Sequence, residues 1–350
     1  VTINGRDREF LTAAGIPEEM VFLLDNPVEP LEREKGDGRK ETGRKIGKAL
    51  SKSTASYIEG APLMIYPVRT IRRKNVLEAG LLARCSRTPV NLLVTLPGVS
   101  KTEKGYSEII DSCFEEGLIP GASRAGLTLG DNGISFPDTM SAGKIIISSS
   151  VQEGFGYLFI NSLQWKKPLF ARKLDIIRDF SDMFSTEFSH FYDTVEIPLS
   201  TALRKQLKQE YSRKISELGK FLDKEIISNL KKQETRVIQG SSIDFSYLSP
   251  IMQRNFLKDL NDPGLLKETR KMNNIKLEQM EIMLSIDMIA FDETVIEKFS
   301  LANHAEQIGN IISSLKNDID LSPSSKENVN YSIIASFANF ASISLLYDPI

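Results

Sequence analysis

The amino-acid sequence predicts an α/β fold: a Rossmann-like, doubly wound parallel sheet followed by an α-helical C-terminal domain. Three observations carry that expectation. Between Leu63 and Phe180, short apolar runs alternate with helix-like stretches, as strands alternate with crossover helices. The runs Val90–Leu96 and Ile145–Ile147 are continuous and branched, as in strands buried on both faces. Beyond about Phe184 such runs cease, and apolar residues recur at helical spacing.

Each element follows from a local pattern. Asp7–Ala14 reads as a helix stopped by Gly15-Ile16-Pro17, and Met20–Leu24 as a short strand ended by Asp25-Asn26-Pro27. One helix and one strand do not make a domain. Residues 1–30 therefore read as the remnant of a preceding unit, and the chain, which has no initiator Met, as truncated at its N-terminus. Between residues 33 and 52, eight basic and three acidic residues are interspersed with Gly36, Gly38, Gly43 and Gly47, so 31–60 reads as a basic linker or loop. An electropositive arm facing an anionic ligand is the alternative for that stretch.

Residues 61–184 form the expected sheet domain. Its strands are Leu63–Tyr66, Val90–Leu96, Gly126–Leu129, Lys144–Ser148 and Leu169–Ala171. Helices are expected at Val76–Cys85, Glu103–Glu116, Asp138–Ala142 and Phe159–Trp165. In 185–350, apolar residues at 199, 203, 207, 211, 215, 218, 222, 226 and 230 describe one stripe of a long helix. Further helices are expected at Ser249–Leu260, Gly264–Ile286, Asn303–Lys316 and Lys326–Leu346, with breaks at Pro263 and Pro323. Phe337, Phe340, Leu345 and Leu346 fit a buried helix face, whereas Glu225, Asp244 and Asp292 read as solvated charges or caps.

Composition narrows the class of function. With 26% charged residues and a formal net charge of −2, the chain has no global basic field, so a nucleic-acid partner is not expected. No apolar run reaches the length of a membrane span, and Val1–Asp7 is not a signal peptide. Cys85 and Cys113 read as reduced thiols of a cytoplasmic protein, and His190 and His304 as structural or surface residues.

Two segments carry chemistry. In Arg69-Thr70-Ile71-Arg72-Arg73-Lys74, a basic pair five apart follows the first strand and leads into a helix N-terminus, which already favours anions. Arg offers a planar fork and Lys a point charge, which together suit a diphosphate, at about 1.5–3 kcal/mol per charge-assisted bond. The run Ile145-Ile146-Ile147 ends in Ser148-Ser149-Ser150, followed by Glu153-Gly154-Phe155-Gly156. Beyond the carboxyl end of a strand, glycines let backbone N–H groups approach phosphate, and a carboxylate accepts hydrogen bonds from sugar hydroxyls. Phe155 either packs beneath this loop or touches ligand, whereas Tyr66, Tyr157 and Trp165 read first as packing.

On these residues the chain resembles the donor-binding, C-terminal domain of the retaining GT-B glycosyltransferases, the large bacterial group related to sucrose synthase. Phe136-Pro137-Asp138, Lys167-Pro168-Leu169 and Asn26-Pro27-Val28 extend the resemblance over about residues 1–180, most strongly at 63–76 and 136–172. It implies a retaining, metal-independent hexosyltransferase with Arg69, Lys74 and Glu153 as its catalytic set. Arg69 and Lys74 would bind the diphosphate of the donor and Glu153 its sugar hydroxyls, with the amides of Gly154, Phe155 and Gly156 on phosphate. Asn161 stands where the family has a second Glu on the ribose, and its uncharged amide costs about 1 kcal/mol there. No cofactor is expected, a nucleotide-diphosphate sugar being the donor substrate, and no metal if Arg69 and Lys74 supply the charge. The acceptor is not specified, a protein partner would dock through the helical domain, and the chain alone would be inactive.

Other readings stay open. A non-catalytic nucleotide-sugar-binding module with a degenerate donor site would explain Asn161, and a nucleotide-sugar epimerase would use the same architecture. A nicotinamide dehydrogenase is disfavoured, because the turn after the first strand lacks Gly-x-Gly-x-x-Gly.

Overall fold

The structure is a computed structural model that describes residues 1–29, 39–286, 289, 293–315, 329–335 and 338–345. Gly36, Gly38, Asp292, Pro323, Phe337 and Leu346, with parts of the linker 31–60 and of the helix expected at Lys326–Leu346, lie outside the described residues.

Six parallel strands form the sheet: β1 Leu63–Arg69, β2 Asn91–Leu96, β3 Gly121–Ala122, β4 Ile145–Ser148, β5 Leu169–Arg172 and β6 Ser189–Tyr192. Their order is β3-β2-β1-β4-β5-β6, so the winding direction reverses between β1 and β4. That is the doubly wound arrangement expected, and in such sheets ligands bind beyond the carboxyl ends of the strands at the reversal. Ile65 lies in register with Leu93 and Ile146, and all three enter one apolar cluster. Their neighbours Tyr66, Val94 and Ile147 enter the cluster on the opposite face. Burial on both faces is why these strands are apolar without alternation.

Several expected elements differ. The stretch read as a basic linker is a helix over Arg39–Ser53, with Ile46, Ala49 and Leu50 buried against the first face of the sheet. Three apolar positions at helical spacing suffice to seat it, and the surrounding charges hid them. The strand expected at Gly126–Leu129 is part of the helix Ala125–Asp131, in which Leu129 is buried and Leu127 exposed. Its place in the sheet is taken by the two residues of β3. Gly121 has φ +123°, and a Cβ there would lie 2.0 Å from the carbonyl oxygen of Leu92, so only glycine fits against β2. Strand β6 was not anticipated, because Ser-His-Phe-Tyr lacks an apolar run. At Met20–Leu24 there is no strand. A 3₁₀ turn spans Glu18–Met20, and Leu23 makes a single parallel bridge to Thr2.

The stripe from Leu199 to Leu230 is divided between two helices, Thr201–Leu218 and Lys224–Ile238. The stretch Gly264–Ile286 likewise breaks into Pro263–Met272 and Asn274–Ser285. The break has a cause at Asn273. Its buried amide accepts from the Glu196 N–H at 3.0 Å and donates to the Glu196 carbonyl at 2.7 Å. Glu196 belongs to β7, Glu196–Pro198, which pairs antiparallel with β8, Ser242–Asp244. Helices at Pro250–Asp259 and Leu301–Ser314 agree with expectation. Phe340 is buried and stacks on Tyr211 with ring centroids 3.9 Å apart.

The helical residues share one apolar cluster with the sheet. Leu207, Tyr211, Leu230, Phe245, Leu257, Leu277 and Met280 join Tyr66, Val94, Ile147 and Phe170. A buried charge network crosses the same junction. Arg172, at the end of β5, donates to Glu78 at 3.0 and 2.5 Å and to Asp244 at 2.9 and 2.8 Å. Tyr192 and Asn75 donate to the two oxygens of Glu78. Asp244 is thus not a solvated charge but a cap, accepting from the Ser246 N–H at 3.1 Å at the start of the turn Phe245–Tyr247. Burial pushes the Glu78 carboxyl pKa up, and the Arg172 charge opposes it.

The residues before the sheet pack onto it as well. The Gly5 N–H donates to Asp179 at 2.8 Å, and the Val28 N–H to the Phe299 carbonyl at 2.8 Å. Among the described residues no helix is long and apolar enough to cross a membrane.

Two stability measurements follow. Arg172→Met leaves two buried carboxylates without their cation and should lower unfolding stability by about 3–5 kcal/mol in urea titrations; a loss near zero would contradict the network's role. His190 stacks on Phe170 at 5.4 Å, and burial, then the Lys276 charge, lowers its pKa from 6.5. The unfolded chain therefore takes up this proton first, so stability held above pH 6.5 is lost as pH falls through that value. His190→Gln should flatten the decline between about pH 7.5 and 5 relative to the parent; parallel profiles would count against the assignment.

Candidate functional site

The loops after β1 and β4 meet at the point where the sheet reverses direction. Residues Arg72–Lys74 form a 3₁₀ turn, and Asn75, in the left-handed conformation at φ 48°, starts the helix Val76–Cys85. The Tyr66 hydroxyl, buried within β1, donates to the Lys74 carbonyl at 2.8 Å and lies 2.8 Å from the Ser150 hydroxyl. Ser149 donates to the Asn75 carbonyl at 2.9 Å, and the Val151 N–H to that of Arg73 at 2.9 Å. Two segments about 75 residues apart are thereby laced into one unit by buried hydrogen bonds.

Glu153 is the focus of this unit. Its Oε1 accepts from Ser150 at 2.7 Å and pairs with the Lys74 ammonium, and its Oε2 accepts from Arg73 Nη1 at 3.0 Å. The Glu153 and Lys74 side chains are only 11% and 13% exposed, so the pair is shielded from water. Burial lowers the Lys74 pKa, and the Glu153 carboxylate works against that shift. Burial also pushes the Tyr66 hydroxyl pKa far up, which keeps it a neutral donor.

Arg69 stands at the other side of the loop. Its guanidinium, 46% exposed, lies 3.7 Å from Glu103. Glu103 also accepts from the N–H groups of Val99 and Ser100 at 2.9 and 3.0 Å, and these bonds hold its pKa below the usual range. The charge of Arg69 reaches Lys74 and depresses its pKa further. Lys74 and Glu153 are thus in direct contact, whereas Arg69 pairs with Glu103. Arg72, from the same basic run, is buried and donates to the Ser246, Leu248 and Ser344 carbonyls at 3.0–3.2 Å, so it joins the loop to the helical residues.

The two glycines of the loop differ. Gly156 has φ +94°, and a Cβ there would lie 2.8 Å from the Phe159 ring, so this turn requires glycine. At Gly154 a Cβ would meet only Ile3 at 3.7 Å, an ordinary contact, and its carbonyl accepts from Asn4 at 2.8 Å. Phe155 is buried and its ring packs edge-on to Phe180 and Phe299 at 5.6 and 5.7 Å, beneath the loop. Asn161 lies on the helix Tyr157–Gln164, half-buried. Arg73, Ser150 and Glu103 were not anticipated as parts of the site. All three acquire these contacts only through the packing of the loops. A cleft of about 340 Å³ opens beside the loop, bordered by Gln152, Lys173, Asp175 and Asp193.

No protein-family model matches the chain. Over 312 residues, 88% of its length, the chain is 31% identical to the mannosylglucosyl-3-phosphoglycerate synthase of Petrotoga mobilis. It spans 58% of that relative. Among solved structures, the Anabaena protein HepE, in complex with UDP and glucose, aligns over 90% of this chain and 62% of its own, at 12% identity and a TM-score of 0.47. TarM aligns over 89% of this chain and 42% of its own, at 12% identity and a TM-score of 0.40. A curated homologue of this chain is therefore a glycosyltransferase, the class that Arg69, Lys74 and Glu153 resemble.

Proposed function

We propose that the chain carries the donor site of a glycosyltransferase that moves a hexose from a nucleoside-diphosphate sugar to an acceptor. The observation that supports this most is the meeting of Lys74 and Arg73 on Glu153 at the reversal point of the sheet. Departure of a nucleoside diphosphate develops negative charge on its phosphate oxygens. Cations already held in place stabilise that charge without reorganising. Lys74 and Arg69 supply two such charges, so the proposed reaction is metal-independent. Glu153 would accept hydrogen bonds from the sugar hydroxyls and orient the anomeric carbon toward the acceptor. Asn161 would meet the ribose through its amide. Retention of anomeric configuration remains part of the proposal, as do a cytoplasmic location and a protein partner through the helical residues. The relative's name makes a mannosylglucosyl-3-phosphoglycerate the product class to test first.

One observation favours a second reading. Asn161 lacks the charge of the family's carboxylate, which fits a site that binds nucleotide sugars without turning them over. Binding comes first in either case. Arg69→Ala and Lys74→Ala should each weaken the affinity for UDP, GDP or ADP by about 10–100-fold in calorimetric titrations. Superimposable titrations for the parent and both variants would exclude a donor site at these residues.

A further inference from the structure

Glu153 already holds three protein partners before any ligand arrives. A carboxylate offers about four lone-pair sites, and three of them are taken by Lys74, Ser150 and Arg73. For Glu153 to receive two sugar hydroxyls, one protein partner has to yield. Lys74 is shielded, and its turn is held by the Tyr66 hydroxyl; Ser150 is fully buried and bonded to the same hydroxyl. Arg73 differs from both. Its side chain is 41% exposed, and the one nitrogen at 3.0 Å from Glu153 also donates to the Gln152 carbonyl at 3.1 Å. Its departure would cost Glu153 one solvent-screened bond and leave the buried lacing intact.

We propose that Arg73 is a third donor-facing cation, which exchanges the Glu153 carboxylate for the diphosphate of an incoming nucleotide sugar. The exchange couples two events. The guanidinium fork engages phosphate oxygens in bidentate geometry, for which it is better suited than a single ammonium. At the same time Oε2 of Glu153 becomes available to the sugar hydroxyls, so the carboxylate is exposed only when a phosphate is present. No bond is made or broken in this step. The inference rests on the donor-site reading above and adds to it a residue and an order of events.

Calorimetric titration of the chain with UDP, GDP, ADP and the three parent nucleosides tests it, using the parent, Arg73→Gln, Arg73→Lys, Glu153→Gln and the Arg73→Gln/Glu153→Gln pair. For whichever diphosphate the parent binds, Arg73→Gln should weaken binding about tenfold and Arg73→Lys less, with nucleoside affinity unchanged in both. A packing role for Arg73 would not separate diphosphate from nucleoside in this way. Glu153→Gln should tighten diphosphate binding by releasing Arg73, and that gain should shrink when Arg73 is also replaced. Diphosphate affinity within twofold of the parent in Arg73→Gln would overturn the inference and leave the donor site standing. Strict additivity in the cycle would overturn the exchange. If the parent binds none of the three diphosphates, the donor-site reading fails and the inference fails with it.

Discussion

The loop after β1 has to be fastened to the loop after β4, and the rest of the site depends on that fastening. Tyr66 and Ser149 bond to the backbone of Lys74 and Asn75, and the Ser150 hydroxyl lies 2.8 Å from that of Tyr66, all at buried positions. The lacing puts a lysine and a glutamate into contact in a place where water screens little. A buried ion pair of that kind is weak evidence for stability, because desolvation offsets much of its attraction. Its value lies in placement. The pair sits where the loops after β1 and β4 meet, and under the proposed function a ligand bearing both phosphate and hydroxyl groups would re-partner it.

The helical residues hold this arrangement from behind. Arg72 turns away from the crevice to bind three carbonyls of the helical part, so one basic run supplies both an anchor and the site's exposed cations. The Glu78–Arg172–Asp244 network performs a similar task one strand away, joining the helix after β1 to β5 and β8. Together with the shared apolar cluster, these contacts make the helical segment a structural support of the sheet.

Much of this was legible in the sequence, and the exceptions have physical causes. Unbroken apolar runs announced β1, β2 and β4 because those strands are buried on both faces. Strand β3 was missed because two residues carry no periodicity, and the helix Arg39–Ser53 because Ile46, Ala49 and Leu50, its buried apolar residues among those described, are scattered among charges. Breaks at Gly219 and Asn273 fall inside apolar stripes that continue across them, so period alone could not reveal them. The meeting of Lys74 with Glu153 was legible, since each follows a strand and the two strands, β1 and β4, pair. The contribution of Arg73 was not, because a third basic residue in a run gives no sign of which way it turns. The cap reading of Asp244 holds, but its pairing with Arg172 was not legible, because the two are 72 residues apart.

The central claim is that a diphosphate sits between Arg69 and Lys74 beside Glu153. A crystal structure of the chain soaked with a nucleoside diphosphate tests it most directly. The account predicts phosphate oxygens within about 3 Å of the Lys74 ammonium, with the Arg69 guanidinium turned toward them. Nucleotide density elsewhere, for example in the cleft beside Lys173 and Asp193, with Lys74 still bound only to Glu153, would contradict it.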